Sequence, residues 1–223
     1  RIYYERAESN FKKFKNEKAL ALVKSSLGRI YLKEKNYDKA LSHFNTSLQL
    51  AKSSNDRQVQ SEVFYNLGKL YKFKNNPLKS IKFLKQSITI AEEIKNNLQK
   101  STSLVALGGA YLEFNKLNLA INNCNRGLLL AEQIKTTSIQ EEACKCLYEG
   151  YKSKNNLFKA LQYNEQMYVL RDSLNLKQTS DKILNMQFEK EMLLDSIAHV
   201  EKERKARLAH QKVVEKKEKQ RNV

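Results

Sequence analysis

Residues 27–31 read Leu-Gly-Arg-Ile-Tyr, residues 67–71 read Leu-Gly-Lys-Leu-Tyr and residues 107–111 read Leu-Gly-Gly-Ala-Tyr. The three segments are spaced 40 residues apart, and a fourth copy at residues 147–151 keeps the leucine and the tyrosine but shifts the glycine. A fixed period of this length is typical of repeat proteins, in which each unit buries its apolar face against its neighbours. The sequence therefore predicts an array of similar units.

A second set of residues recurs at the same period, downstream of each copy. It contains the small residues Ala40, Ser80, Ala120 and Ala160. Short polar segments, such as residues 35–36, 75–76 and 155–156, separate the two sets and predict turns. Because apolar residues recur three and four positions apart on both sides of each turn, every repeat is predicted to be a hairpin of two amphipathic helices.

These two sets resemble the tetratricopeptide repeat, which pairs a leucine-glycine-tyrosine first helix with an alanine-phenylalanine second helix. The resemblance covers four repeats in residues 15–175. It implies an all-α, right-handed superhelical solenoid of helical hairpins. The 40-residue period is longer than the usual value of about 34 residues, so we expect each helix to be about three residues longer.

Both ends of the chain depart from the four repeats. Residues 1–14 match the second helix of a repeat and are interpreted as the remainder of a truncated preceding one. Residues 176–223 contain neither glycine nor proline and predict one long charged helix. Apolar residues alternate three and four apart along it, as in a coiled-coil seam: Ile183, Met186, Leu193, Ile197 and Val200. This helix is predicted to form a homodimeric stalk, to cap the last hairpin, or both.

The charge distribution and the cysteine spacing argue against nucleic acid and metal ions as partners. The formal net charge is +17, but the cationic residues are spread along the chain, which favours a solvated surface over a nucleic-acid site. Cys124, Cys144 and Cys146 form no CxxC pair and have no histidine at metal-ligand spacing, so no metal site is predicted. Since Cys144 and Cys146 point to different sides of one helix, we expect three buried free thiols.

The chain lacks the phosphate-binding, dinucleotide-binding, zinc-protease and serine-hydrolase motifs. No catalytic residue and no cofactor are therefore predicted. The tetratricopeptide resemblance instead implies a groove, lined by the first helices, that receives extended peptides or partner helices. Eight residues near the repeat motif but off its buried stripe are candidates to line this groove: Arg29, Tyr65, Asn66, Lys69, Lys72, Lys145, Glu149 and Lys152.

Three of these candidates, Asn66, Lys69 and Lys72, recur at three-residue spacing on one predicted helix. An amide and two ammonium groups in this arrangement would hold a carboxylate through charge-assisted hydrogen bonds. The cluster partly resembles the carboxylate clamp of chaperone-binding tetratricopeptide proteins. The alternative is that the two lysines are ordinary solvated residues.

A repeat array that runs into a charged helix resembles the sensor regions of Bacteroidetes-type signalling regulators. The resemblance implies that a histidine kinase or helix-turn-helix output domain lies outside this chain. It also implies a membrane just beyond the C-terminus, and it favours a periplasmic location over a cytoplasmic one. The alternative is a cytoplasmic tetratricopeptide adaptor, scaffold or peptide-responsive regulator whose C-terminal helix dimerises without a membrane.

Overall fold

The structure is a computed structural model that describes Tyr4, Phe11 and residues 16–221, with side chains beyond residue 181 described only in part. The residues from 16 to 221 form eight α-helices and no strands. The helices are α1 (Glu17–Lys33), α2 (Tyr37–Ser53), α3 (Arg57–Phe73), α4 (Pro77–Glu93), α5 (Asn97–Glu113), α6 (Leu117–Gln133), α7 (Thr137–Ser153) and α8 (Leu157–Arg221). The first seven have 17 residues each, so two helices and two three-residue turns account for the period.

The seven turns share one backbone geometry. In the first, Lys35 has a left-handed φ of 59°, and its N–H donates to the Leu32 carbonyl at 3.1 Å. The Asn36 N–H donates to the Tyr31 carbonyl at 2.8 Å, which completes a Schellman motif at the end of α1. The Asn36 side chain then accepts the Lys39 N–H and caps α2. The left-handed residue returns every 20 residues: Lys35, Asn55, Asn75, Lys95, Asn115, Lys135 and Asn155.

Within the first hairpins, a glycine of the first helix packs against a large side chain of the second. A Cβ atom on Gly28 would lie 2.5 Å from Phe44 Cε1, and one on Gly68 would lie 2.6 Å from Leu84 Cγ. Carbon atoms in ordinary contact are about 3.5–4.0 Å apart, so no side chain fits at either position. Phe44 and Leu84 are fully buried, and the repeated glycine therefore sets the distance between the paired helices.

Buried serines mark a second close approach within the hairpins. Ser61 Oγ donates to the Ser87 carbonyl at 2.9 Å, and Ser87 Oγ donates to the Ser61 carbonyl at 2.8 Å. In the next hairpin, Ser101 Oγ donates to the Gly127 carbonyl at 2.7 Å. Each bond joins the two helices of one hairpin, and it satisfies a hydroxyl that would otherwise be costly to bury.

The disulfide corrects the prediction made for the cysteines. Cys124 of α6 and Cys146 of α7 are bonded, with Cα atoms 6.2 Å apart, and Cys144 alone is a free, buried thiol. The prediction of three free thiols is therefore wrong. It considered only the two cysteines of one helix, whereas the bonded pair joins two helices that pack together from consecutive hairpins.

The last helix belongs to two compact units of the chain, the first ending at Asp172 and the second beginning at Ser173. In the first unit, Leu161 and Tyr168 of α8 are 57% and 52% exposed, while Ile121 and Leu128, at the same repeat positions in α6, are buried. Among the described helices, none has the length and apolar character that crossing a membrane requires.

Some predictions at the two ends lie outside the described residues. Tyr4 and Phe11 are helical, and the other residues of the predicted second helix, residues 1–14, lie outside the described part of the chain. The backbone of the predicted seam, residues 183–200, is helical, but the seam side chains are not described. Dimerisation and capping by this helix therefore stay predictions.

Replacing Gly68 by alanine tests the close approach of paired helices. Although alanine favours helix over glycine by up to about 1 kcal/mol, the added Cβ would press on buried Leu84. We expect Gly68→Ala to lower the free energy of unfolding by about 1–3 kcal/mol, measured by urea denaturation.

Gly109→Ala is the matched control, because a Cβ there would meet only Lys72 Nζ, at 3.5 Å. We expect this variant to be as stable as the parent or slightly more stable. Equal stability of the Gly68→Ala and Gly109→Ala proteins would contradict the proposed packing.

Candidate functional site

The first helices of three consecutive repeats form a cavity of about 490 Å³, here called the groove cavity. Helix α3 contributes Tyr65, Gly68, Lys69, Lys72 and Phe73, and α5 contributes Val105, Ala106, Gly109 and Leu112. Helix α7 contributes Glu142, Lys145, Cys146 and Glu149, and Ser80 and Leu84 of α4 complete the lining. The predicted groove between first helices is thus present as a cavity, and its volume suits a small ligand or a few peptide residues.

The repeat period explains why the cavity lies at α5. Residues at one repeat position in α3, α5 and α7 lie side by side, and the row at position 69 reads Lys69, Gly109 and Glu149. Both outer residues carry long side chains, while the middle residue has none. Because a Cβ on Gly109 would already be in contact with Lys72 Nζ, any larger side chain there would fill the space.

The floor of the groove cavity is apolar, with one exception. Leu84, Val105 and Leu112 contribute aliphatic surface, and Cys146 contributes one sulfur of the disulfide. Ser80 is fully buried, and its Oγ atom has no hydrogen-bond partner among the described residues. An unpaired buried hydroxyl is unfavourable by about 1–3 kcal/mol, and a ligand group that reaches it would remove this penalty.

Charged groups of both signs surround this floor. Lys72 pairs with Glu113 at 3.4 Å, and the Lys69 ammonium lies over the Tyr65 ring, 5.5 Å from its centroid. Lys145 and Glu149, in contrast, form no ion pair or hydrogen bond with any residue that the structure describes. The groove cavity therefore offers an ammonium and a carboxylate group that are available to a ligand.

The Tyr65 phenol is held in its neutral form. Burial, with a smaller contribution from the nearby Glu142 carboxylate, raises the pKa of Tyr65 from 10.0 to about 12. Both effects disfavour the phenolate, because burial removes water from the charge and Glu142 repels it. The shift therefore extends into alkaline solution the range over which the hydroxyl is a neutral hydrogen-bond donor.

This pKa predicts a loss of stability in alkaline solution. Between about pH 10 and pH 12 the unfolded chain releases the Tyr65 proton and the folded chain retains it, so rising pH favours unfolding. We expect Tyr65→Phe to remove this contribution and to make the decline shallower by up to about 1 kcal/mol per pH unit. Urea denaturation of both proteins from pH 9 to pH 11.5 checks this, and parallel curves would contradict the assignment.

The structure brings together most of the predicted groove residues. Tyr65, Lys69, Lys72, Lys145 and Glu149 all line the groove cavity. The others lie elsewhere among the described residues: Arg29 pairs with Glu62 at 3.3 Å, the Lys152 ammonium lies over the Tyr148 ring, and Asn66 is buried.

Asn66 shows where three-residue spacing misleads. Each step of three residues turns an α-helix by about 60° short of a full circle, so residues 66, 69 and 72 move progressively around α3. Lys72 is exposed, Lys69 is half-buried and Asn66 is buried, with its Nδ2 atom unpaired among the described residues. A carboxylate bound jointly by the three side chains stays a prediction without support from this geometry.

Two important residues were not predicted. Gly109 could have been recognised, since Leu-Gly-Gly-Ala-Tyr differs from the other copies by a second glycine in the row of Lys69 and Glu149. Glu142 carries no sequence signal, because its contribution depends on its distance from a tyrosine 77 positions earlier.

Comparison with known families identifies part of the array. The tetratricopeptide repeat model matches residues 17–93, which include helices α1 to α4. No curated protein matches the chain.

Solved structures share the fold at low sequence identity. BtubC from P. vanneervenii has a TM-score of 0.66 and 15% identity, over 77% of this chain and 74% of that one. A signal transduction ATPase with a tetratricopeptide repeat sensor, from Pyrococcus horikoshii, has a TM-score of 0.64 and 18% identity, over 77% of this chain and 28% of that one. The Rap conjugation regulator of plasmid pLS20, in complex with the Phr* peptide, has a TM-score of 0.61 and 22% identity, over 75% of this chain and 48% of that one.

These similarities are similarities of fold. The chain spans about a quarter of the signal transduction ATPase and about half of the Rap regulator. The repeats shared with these structures are helical hairpins of the same type.

Proposed function

We propose that this chain is a tetratricopeptide-repeat protein whose groove cavity binds a short extended segment of a protein or peptide. One observation carries the proposal: an open cavity with an apolar floor lies between first helices and is bordered by Lys145 and Glu149, two opposite charges without a partner among the described residues. A peptide suits such a site because it combines apolar side chains with carboxylate, ammonium and amide groups. Tetratricopeptide arrays are typically binding domains, and no catalytic role is proposed for this one.

The geometry suggests how such a segment would lie. An apolar side chain would enter between Lys69 and Glu149, above Gly109, and would contact Leu84 and Val105. A ligand carboxylate would pair with Lys145 and a ligand ammonium group with Glu149. Burial of one leucine-sized side chain contributes about 1.5–3 kcal/mol, which is enough to make the apolar contact the main source of affinity.

Filling the cavity tests this proposal. We expect Gly109→Phe to weaken binding at least tenfold without loss of stability, because the ring would occupy the ligand's space and not the hairpin core. The probe is a fluorescein-labelled peptide selected from a displayed random library on the parent chain. Binding is measured by fluorescence anisotropy, and stability by thermal melting.

Two control variants make the result specific. Gly109→Ala adds only a methyl group and is expected to bind the probe within about threefold of the parent, and Lys152→Ala changes a lysine outside the cavity lining. Equal binding by the parent and Gly109→Phe would place the peptide elsewhere. Failure to select any peptide would count against the proposed function itself.

At the level of the whole protein, we propose a sensory or regulatory region of a bacterial signalling protein. The Rap regulator bound to the Phr* peptide and the ATPase with a tetratricopeptide repeat sensor support this role by analogy of fold. A peptide in the groove cavity would change the packing between hairpins, and this change would act on a histidine kinase or helix-turn-helix output. The predicted homodimeric stalk would carry the signal.

A periplasmic location is part of the same proposal. Disulfides persist in oxidising compartments, so the Cys124–Cys146 bond supports it. The alternative is a cytoplasmic adaptor, scaffold or peptide-responsive regulator. Reading the gene beyond the codon for Val223 separates the two, since a span of about 20 apolar residues followed by an output domain supports the sensor and a soluble continuation supports the adaptor.

A further inference from the structure

The disulfide lies in one wall of the groove cavity. Cys146 lines the cavity, and on the same helix Glu142 and Glu149 lie about one turn before and after it. Its partner Cys124 belongs to α6, in the preceding hairpin. The bond therefore joins the α7 wall of the cavity to the hairpin that includes the α5 wall.

The preceding junction between hairpins shows which side chains occupy the positions of the two cysteines when no disulfide is present. Residues equivalent to Cys124 and Cys146 at the preceding junction between hairpins are Leu84 and Ala106, and Leu84 is fully buried. Together a leucine and an alanine fill somewhat more space than two cysteines, so these two positions contribute less packing volume at the junction between the third and fourth hairpins. The disulfide stabilises the junction between the third and fourth hairpins, whereas side-chain packing stabilises the preceding junction.

Reduction would force the two sulfurs apart. Bonded sulfur atoms lie well inside van der Waals contact, and two thiols cannot remain at that distance. A Cβ on Gly108 would overlap Cys124 Sγ, so the α5 backbone already packs closely on that sulfur. The Cys146 sulfur also lies near Gly108, 3.2 Å from the position of a Cβ there, but on its other side Cys146 borders the cavity, so separation of the sulfurs would displace Cys146 and α7 toward the cavity.

We propose that the Cys124–Cys146 disulfide is a redox lock on the groove cavity, with the oxidised chain as the form that binds peptide. The expected effect on peptide binding rests on the proposed function, whereas the expected opening of the fourth hairpin does not. Once the bond is reduced, the fourth hairpin opens more often, and Lys145 and Glu149 lose their fixed positions opposite Lys69. Terminal units of a repeat array open independently of the rest, which makes such a local effect possible.

The reductant must come from outside the chain. Cys144 is fully buried, and burial together with the carboxylates of Glu132 and Glu141 raises the pKa of its thiol to about 11, so it does not act as an internal thiolate. Cys146 is only 6% exposed, and the cavity that it lines is the route by which a small dithiol would reach the bond. The thiolate of the dithiol attacks Cys146 Sγ, the disulfide breaks and Cys124 takes up a proton. The second thiol of the reductant, as its thiolate, then displaces Cys146, which takes up a proton, and closes a cyclic disulfide, so that two electrons and two protons pass to the protein.

The test compares the 223-residue chain before and after treatment with dithiothreitol. Alkylation under denaturing conditions counts the thiols, with one expected in the oxidised chain and three in the reduced chain. Hydrogen exchange followed by mass spectrometry is expected to accelerate at least tenfold in α7 and in residues 157–172 on reduction, and to stay unchanged in α1 to α4. Affinity for the selected peptide is expected to fall at least tenfold.

A matched variant uses the period of the chain itself. The double variant Cys124→Leu, Cys146→Ala reproduces the preceding junction, and we expect its exchange rates and peptide affinity to be the same with and without dithiothreitol. Cys144→Ser removes the free thiol and is expected to retain the full redox response. These variants separate the loss of the bond from other effects of the reductant.

Each outcome of these experiments supports or overturns a stated part of the proposal. Three alkylated thiols in the untreated chain, or exchange in α7 that does not respond to reduction, would overturn the lock. Faster exchange without any peptide binding in either form would keep the structural lock and reject the proposed function. Faster exchange with unchanged peptide affinity would show that the bond stabilises the hairpin without controlling the groove cavity, and would also overturn the proposal.

Discussion

The contact between a backbone without a Cβ atom and a large, fully buried side chain is the constraint on which the array depends. At Gly28 and Gly68 this contact lets Phe44 and Leu84 lie directly against the facing helix. It brings the two helices of a hairpin close enough for serine hydroxyls to reach backbone carbonyls across the gap, as Ser61 and Ser87 do. With the spacing inside each hairpin fixed, the first helices of successive hairpins lie side by side in a constant register.

The groove cavity arises where the repeats differ from one another. Positions that the repeats share form the core, and they are the same in kind from one hairpin to the next. At the row of Lys69, however, the three residues differ. Lys69 is a cation, Glu149 is an anion, and Gly109 between them has no side chain and leaves space for the cavity. The cysteine pair is a similar local departure, because it replaces packing with a bond at a single junction. Regular positions thus give the fold, and irregular positions give the site.

Sequence patterns were sufficient for the fold and for part of the site. The period, the hairpins and the turns at residues 35–36, 75–76 and 155–156 follow from local spacing and are confirmed. Five of the eight candidate groove residues line the cavity, because they lie off the buried stripe of α3 or α7, the two first helices that flank α5. Local periodicity was enough to place these side chains.

The errors have two sources. Asn66 was assigned to one face with Lys69 and Lys72, but steps of three residues move around α3, and Asn66 lies on its buried side. The other errors concern contacts between helices that are distant in sequence. The disulfide joins residues 22 positions apart on two different hairpins, and its formation depends on how those hairpins pack. The influence of Glu142 on Tyr65 depends on the same packing. Periodicity within one helix contains no information about these distances.

The equal spacing of the turns has a consequence for how such a chain can change during evolution. Because a left-handed residue recurs every 20 positions, an insertion of one residue inside a helix would rotate all later residues of that helix by about 100° and destroy its core face. Gain or loss of a whole repeat, in contrast, leaves every contact type intact, since each hairpin presents the same surfaces to its neighbours. Array length is therefore free to vary in units of two helices. The junction closed by Cys124 and Cys146 is the exception, because a hairpin inserted there would separate the two cysteines and leave both sulfurs without a partner.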